Sequence, residues 1–255
     1  MKLSTLVERL DERLGADDYA DIDASANGLQ VGPEEKEIER VAFAVDGVVE
    51  TFQQAAAFDA DLLVVHHGIV WGGLDRVTGL EYDRIRTLLD NDIALYVSHL
   101  PLDGHPEYGN AARIADLLGL EKTEAFGHVG GVPVGRRGTA PDLVTAGELR
   151  DALAESLPIE AADVQVIDHG PDELEEFAVV TGAGADFLRE AKAEGIDALV
   201  TGEGKQKLYH EAQEADISVF LAGHYATETV GVRSVQSLVD EWDLETTFID
   251  VPTGL

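Results

Sequence analysis

Apolar residues recur along the chain with two distinct periods. Leu3, Leu6, Val7, Leu10 and Leu14 fall at helical spacing and predict an amphipathic helix over 3–14. Residues 15–32, rich in Asp, Gly and Asn, read as loop. VAFAV at 41–45 predicts a buried strand ending at Asp46-Gly47, and 48–58 suits a helix with Val49, Phe52 and Ala56 inward. DLLVV at 61–65 is the next strand, and it runs straight into His66-His67-Gly68. A helix over 81–90, the buried strand IALYVSH at 93–99 and a helix over 109–118 follow.

Near residue 127 the texture changes. GHVGGVPVGRRGTAP is rich in glycine and proline and predicts a junction between domains. Beyond it the pattern predicts a helix at 145–155, strands near 164–167 and 177–181, a helix at 185–194 and a strand at 197–201. A helix at 205–214, the strand ISVFLA at 217–222, a long helix from about 225 to 241 and a last strand TTFIDV complete the chain. One unit echoes another: VAFAVDG, helix, DADLLVVHHG (41–68) matches FAVVTGAG, helix, GIDALVTGEG (177–204) in element order and spacing. Short buried strands alternating with helices predict an α/β fold with largely parallel pairing.

Charge changes the picture of the surface. The 255 residues carry 50 acidic against 18 basic side chains, a formal net charge of -32, and the acids recur in nearly every segment. Such a surface repels itself in dilute salt and is screened in concentrated salt, so the chain reads as halophilic. No Lys/Arg cluster exceeds Arg136-Arg137, which disfavours a basic nucleic-acid-binding face. Cysteine is absent, which removes disulfides and thiolate chemistry. The opening MKLSTLVERLDERL is too charged for a signal peptide and no apolar run approaches membrane-spanning length, so the expectation is a soluble cytoplasmic protein with no membrane partner.

Ligands in open α/β sheets bind beyond the carboxyl ends of strands. Four groups fall there: His66-His67-Gly68; His99 with Asp103; Thr201-Gly202-Glu203; and Gly223-His224-Tyr225-Ala226-Thr227-Glu228. If a helix begins near His224, then His224 and Glu228 are four apart and face the same way. Neighbours on a rigid strand point to opposite sides, but at a strand exit before a glycine both rings of the histidine pair can turn toward one cavity. Pro101 would stiffen the loop that holds Asp103. Nitrogen and carboxylate donors from several strand ends suit hard or borderline divalent metals. Three histidines and two carboxylates are too many for one tetrahedral site with an open position and suit two ions about 3.5 Å apart. A lone histidine is more often structural, so the bland reading is satisfied core or loop histidines. No serine sits in a Gly-x-Ser-x-Gly elbow, and the glycine-rich pieces lack a phosphate-loop lysine or a full dinucleotide fingerprint.

Taken in order, Ser25-Ala26-Asn27-Gly28-Leu29, Asp46, His66-His67-Gly68, His99 with Leu102-Asp103, Thr201-Gly202-Glu203, His210 and Gly223–Glu228 resemble the Nif-three-like family of dinuclear-metal-centre hexameric proteins, whose members are labelled GTP cyclohydrolase 1 type 2 homolog. The resemblance covers essentially the whole chain. It implies two similar α/β domains with largely parallel or mixed sheets flanked by helices. One comprises 1–127 with about 203–255, and an inserted one comprises about 128–202. It implies metal ligands at His66, His67, Asp103, His224 and Glu228, with the carboxylates bridging or shared. It places His99 and His210 behind the ligands as polar neighbours or at proton transfer, and Asn27, Asp46 and Glu203 near the site. The chain departs from the family at Ala24-Ser25-Ala26, where an aromatic-Asp pair is usual.

The resemblance further implies two divalent ions per subunit (Fe, Mn, Zn, Ni or Co), a toroidal homohexamer, and a small-molecule substrate or ligand. The leading expectation is a metal-dependent hydrolase acting on a nucleotide-like or other small substrate, with two ions acidifying a water and polarising the reacting centre. The alternative is a non-catalytic metal-binding regulatory or scaffold protein.

Overall fold

The computed structural model describes residues 1–160 and 162–254. In chain order its elements are α1 (Leu3–Leu14), β1 (Gly28–Val31), β2 (Arg40–Asp46), α2 (Val49–Ala57), β3 (Leu62–His67), α3 (Leu80–Asp90) and β4 (Ala94–Val97). Then come α4 (Leu100–Gly104), α5 (Asn110–Leu117), β5 (Glu121–Val129), β6 (Val132–Val144), α6 (Ala146–Ser156), β7 (Gln165–Ile167) and β8 (Leu174–Val179). The last are α7 (Leu188–Ala193), β9 (Ala198–Thr201), α8 (Leu208–Ala215), β10 (Ser218–Leu221), α9 (His224–Asp240) and β11 (Glu245–Phe248). No helix among the described residues is long and apolar enough to cross a membrane.

The chain divides into two compact units, each an α/β sheet with its own core: Met1–Leu102 with Val232–Val251, and Asp103–Gly231 with Pro252–Leu255. These limits differ from the expected junction near 127. The reason is pairing: β5 and β6 form an antiparallel hairpin in the second sheet, and β10 pairs in parallel with β9. Residues 103–127 and 203–231 therefore go with the second unit.

The first sheet has the order β1-β4-β3-β2-β11. The pairings from β4 through to β11 are parallel, and only the short edge strand β1 runs antiparallel, on β4. β3 lies between β2 and β4 and is buried on both faces, which is why LLVV reads as an unbroken apolar run rather than an alternation. Ala42, Ala44, Leu63, Val65, Leu95 and Val97 pack with Phe52, Ala55 and Leu88 into one core. In α1 the expected stripe is buried at Leu3, Leu6, Leu10 and Leu14, and Gly15 in the left-handed region ends the helix.

The second sheet has the order β5-β6-β8-β9-β10-β7 and is mixed: β8, β9 and β10 run parallel, the rest antiparallel. Leu149, Leu153, Phe177, Val179, Val200 and Phe220 lie in its core. α6 starts on a capping box, Thr145 Oγ1 accepting the Glu148 backbone N–H while the Glu148 carboxylate accepts that of Thr145. The internal echo is present as two parallel strand–helix–strand units, β2-α2-β3 and β8-α7-β9. Three expectations are corrected. Residues 15–32 are not all loop but contain β1; the Gly/Pro-rich stretch from 127 is a hairpin; and the helix over 185–194 is a 3-10 turn at Gly184–Phe187 followed by α7.

Candidate metal centre

The histidine pair forms the last two residues of β3. The ring centroids of His66 and His67 lie 4.6 Å apart, tilted by 49°. His66 is fully buried, and its Nδ1 stands 2.9 Å from the Ser98 carbonyl oxygen on the neighbouring strand's exit. His67 Nδ1 stands 2.8 Å from Asp46 Oδ1, at the position opposite it in the parallel register of β2 and β3. A carbonyl or carboxylate oxygen can only accept, so both rings carry their proton on Nδ1 and the lone pair of the neutral ring is on Nε2. Gly68 makes the turn possible: a Cβ there would stand 2.5 Å from both Gln30 Oε1 and Val97 Cγ2.

His99 follows β4, and the structure brings it to the pair. Its centroid is 5.2 Å from that of His66 and 5.7 Å from that of His67. One ring nitrogen from each of the three histidines lies within 4.8 Å of the others. His99 Nδ1 is held 2.8 Å from Asp23 Oδ1, and its backbone N–H is donated to Asn27 Oδ1 at 2.8 Å. Burial pushes Asp23 up, yet the hydrogen bond and charge of His99, with donors from Asn27 and Ser25, hold it below the usual carboxylate value. Trp71 lies edge-on to His99, centroids 4.9 Å apart.

The second unit gathers a carboxylate-rich set. Asp103 sits on the short helix α4 rather than in a loop, 8% exposed. Its Oδ1 accepts from Asn110 Nδ2 and Thr181 Oγ1, both at 3.0 Å. Asn110 is fully buried, and its own oxygen accepts the Gly231 backbone N–H at 2.9 Å, tying Asp103 to α9. That helix begins at His224, as the spacing argument required, and His224 Nε2 lies 3.1 Å from Glu228 Oε1 one turn on. Glu228 is 2% exposed, and one of its oxygens lies within 4.8 Å of one of Asp103. Glu203 Oε1 is 3.6 Å from His224 Nδ1. Gly182, at φ 55°, borders this set: a Cβ there would collide with Glu228 Oε1 and stand 3.0 Å from His224 Nε2.

His210 is exposed on α8, perpendicular to Tyr209, and joins no chelating group among the described residues. Thr201 hydrogen-bonds to Gly182 and Gly184 and serves the backbone. Asp23, Asn110 and Thr181 escape sequence reasoning. Nothing separates Asp23 from Asp17, Asp18 and Asp21 around it, and its contact with His99 spans 76 positions.

The chemistry of these donors, imidazole nitrogens and carboxylate oxygens, fits chelation of a divalent metal ion. The imidazoles of His66 and His67, each hydrogen-bonded through Nδ1, are prepared as Nε2 donors, the arrangement in which a second partner fixes a metal-ligating ring. Two buried carboxylates as near as Asp103 and Glu228 repel when both are ionised, and a cation relieves that cost.

Comparison with known proteins decides the family. A profile of Duf34/NIF3 (NGG1p interacting factor 3) matches residues 1–254. The chain belongs to the Duf34/NIF3 family. A relative from Halobacterium salinarum, called GTP cyclohydrolase 1 type 2 homolog, is 58% identical over the whole of both chains. One of the same description from Pyrococcus abyssi is 44% identical, again over the whole of both. Among solved structures, TTHA1606 from Thermus thermophilus superposes with a TM-score of 0.89 at 36% identity, covering all of both chains. The two-sheet α/β architecture is thus the Nif3-like fold, and its clusters of His, Asp and Glu could chelate metal ions, consistent with a metal-binding member of that family.

Proposed function

We propose that the chain is a dinuclear metal-dependent hydrolase of a small, nucleotide-like substrate. His66, His67, Asp103, His224 and Glu228 would hold two divalent ions, drawn from Fe, Mn, Zn, Ni or Co. The observation that carries this reading is the common hydrogen bonding of His66 and His67: each ring is pinned through Nδ1, to Ser98 and Asp46, and so offers Nε2. When bound, the ions supply Lewis-acid activation of water and of the substrate's reacting centre.

The chain's own residues supply orientation and proton movement. Asp46 fixes the His67 ring, and Asn110 and Thr181 fix Asp103. His99 is the better placed of the two expected proton carriers, since His210 is exposed on α8. In the proposed step the water oxygen bonds to the electrophilic carbon or phosphorus of the substrate, and the water proton passes to His99 Nε2. When the scissile bond breaks, His99 returns that proton to the leaving atom. A cavity of about 640 Å³ in the second unit, bordered by Glu203, Gly223 and Tyr225, is of the size that small ligands use. Hydrolytic opening of a ring in GTP, the activity in the relatives' name, is one reaction of this class.

The same reading makes the protein a cytoplasmic homohexamer working in concentrated salt. Trp71, Leu74, Val77, Leu80, Tyr82 and Leu89 are exposed large apolar side chains within one stretch, which supports self-association. The test is a screen at molar salt on nucleotides, phosphodiesters and cyclic amides, with each metal reconstituted in turn. Turnover that depends on metal and is lost in His67→Ala supports the hydrolase. Retained metal with no turnover on any of these classes would favour a metal-binding scaffold instead.

A further inference from the structure

Asp23 lies outside every motif and yet holds the segment around His99 together. Its side chain is 1% exposed, and both carboxylate oxygens are spent on that segment. Oδ1 accepts the Ser25 backbone N–H at 2.9 Å and stands 2.8 Å from His99 Nδ1. Oδ2 accepts from Asn27 Nδ2 at 2.9 Å and from the Leu100 backbone N–H at 3.0 Å. The opposite wall is tied down as well. Gln30 Oε1 accepts the backbone N–H groups of Ile69 and Val70, and the loops are stitched by Ala26 N–H to the Val70 oxygen and Gly72 N–H to the Ala24 oxygen. Trp71, carried by this stitched loop, closes on the edge of the His99 ring.

We propose that Asp23 is a positioning residue that locks His99 in the Nδ1–H tautomer and presents its Nε2 lone pair to the space shared with His66 and His67. The inference rests on the hydrolase reading for its purpose, since a proton carrier must offer an unprotonated nitrogen. Its geometry rests on the hydrogen bonds alone. A carboxylate with four donors around it has no proton to give, so the shared proton belongs to the ring. Asp23 itself touches no reacting atom. Its part is to choose which ring nitrogen faces the centre, as second partners do for histidines at metal and proton-transfer sites.

Histidine-selective nitrogen-15 labelling of the full chain in molar KCl, read by long-range proton–nitrogen correlation, reports the tautomer directly; His99→Gln assigns the ring. The wild-type protein is expected to show the lone pair of His99 on Nε2. Asp23→Ala frees Nδ1, and the ring is expected to revert to the Nε2–H tautomer that free imidazoles favour. Asn27→Ala cuts the same loop's hydrogen bonds but spares the Asp23–His99 contact, so it should lower stability and leave the tautomer unchanged. A wild-type spectrum with the lone pair on Nδ1 would overturn the proposal whether or not any variant folds. So would an unchanged tautomer in Asp23→Ala. Neither readout needs turnover, so failure of the tautomer lock is distinguishable from failure of the hydrolase reading.

Discussion

His67 and Asp46 occupy paired positions on adjacent parallel strands, with the imidazole Nδ1 2.8 Å from the carboxylate Oδ1. Strand register, set by buried apolar residues on both sides of β3, thus places a carboxylate beside the ring without any loop having to find it. The pairing makes the choice of which His67 ring nitrogen carries the proton a property of the sheet.

Replacing Asp46 should therefore act on metal and spare the fold. Asp46→Asn is expected to lower divalent-metal affinity by about 10–100-fold, the usual cost of losing a partner of a metal-ligating histidine. Isothermal titration of metal-stripped protein with Zn2+ at high salt measures it, and far-ultraviolet dichroism should stay unchanged.

Gly182 is required twice over, by its φ of 55° and by the carboxylate that a Cβ would meet. Gly182→Ala should destabilise the protein by about 1–3 kcal/mol through left-handed strain and the collision. It should also displace Glu228, so metal occupancy falls along with the denaturation midpoint. Loss of stability with full occupancy would separate the two consequences.

How far this site could be read in the sequence depends on how local each relationship is. His66 and His67 stand out because they are adjacent and end an apolar run, and His224 with Glu228 because four residues is one helical turn. Asp23 gives no such signal: it is one acid among many, and its partner His99 lies just past the end of β4, 76 positions on. The β5–β6 hairpin was hidden for a related reason. Its glycines at 127, 130 and 131 all take positive φ, and the pairing of Phe126 with Gly135 exists only once the strands meet. Short β1 becomes a strand only through antiparallel pairing with β4, across an irregular register.

Glu190 gives a pH dependence of known sign. Burial raises its pKa, but the His128 ring, with the backbone N–H groups of His128 and Gly127, brings it below the ordinary value of 4.5. A carboxylate depressed in the folded state contributes stability that is present above its unfolded value and is lost as pH falls through the folded one. Wild type should therefore exceed Glu190→Gln in urea midpoint at pH 7, with the gap narrowing as pH drops below about 4.5. A gap that widens on acidification would reverse the assignment.

The charge of -32 predicts salt-dependent stability. Self-repulsion of the acidic surface is screened over about 3 Å at 1 M salt but over about 10 Å at 0.1 M. The thermal midpoint is expected to fall steeply between 2 M and 0.1 M KCl. Measuring it by differential scanning fluorimetry, with a flat profile as the contrary result, decides whether the surface is adapted to salt.

The central claim is that the imidazoles and carboxylates of this chain hold metal. Elemental analysis of protein purified in molar KCl without added metal or chelator, compared with His66→Ala, His67→Ala and Glu228→Gln, tests it most directly. The account predicts two divalent ions per chain in the wild type and a loss of at least one in each variant. A wild type that carries no metal and takes up none on addition, or variants with undiminished content, would contradict it.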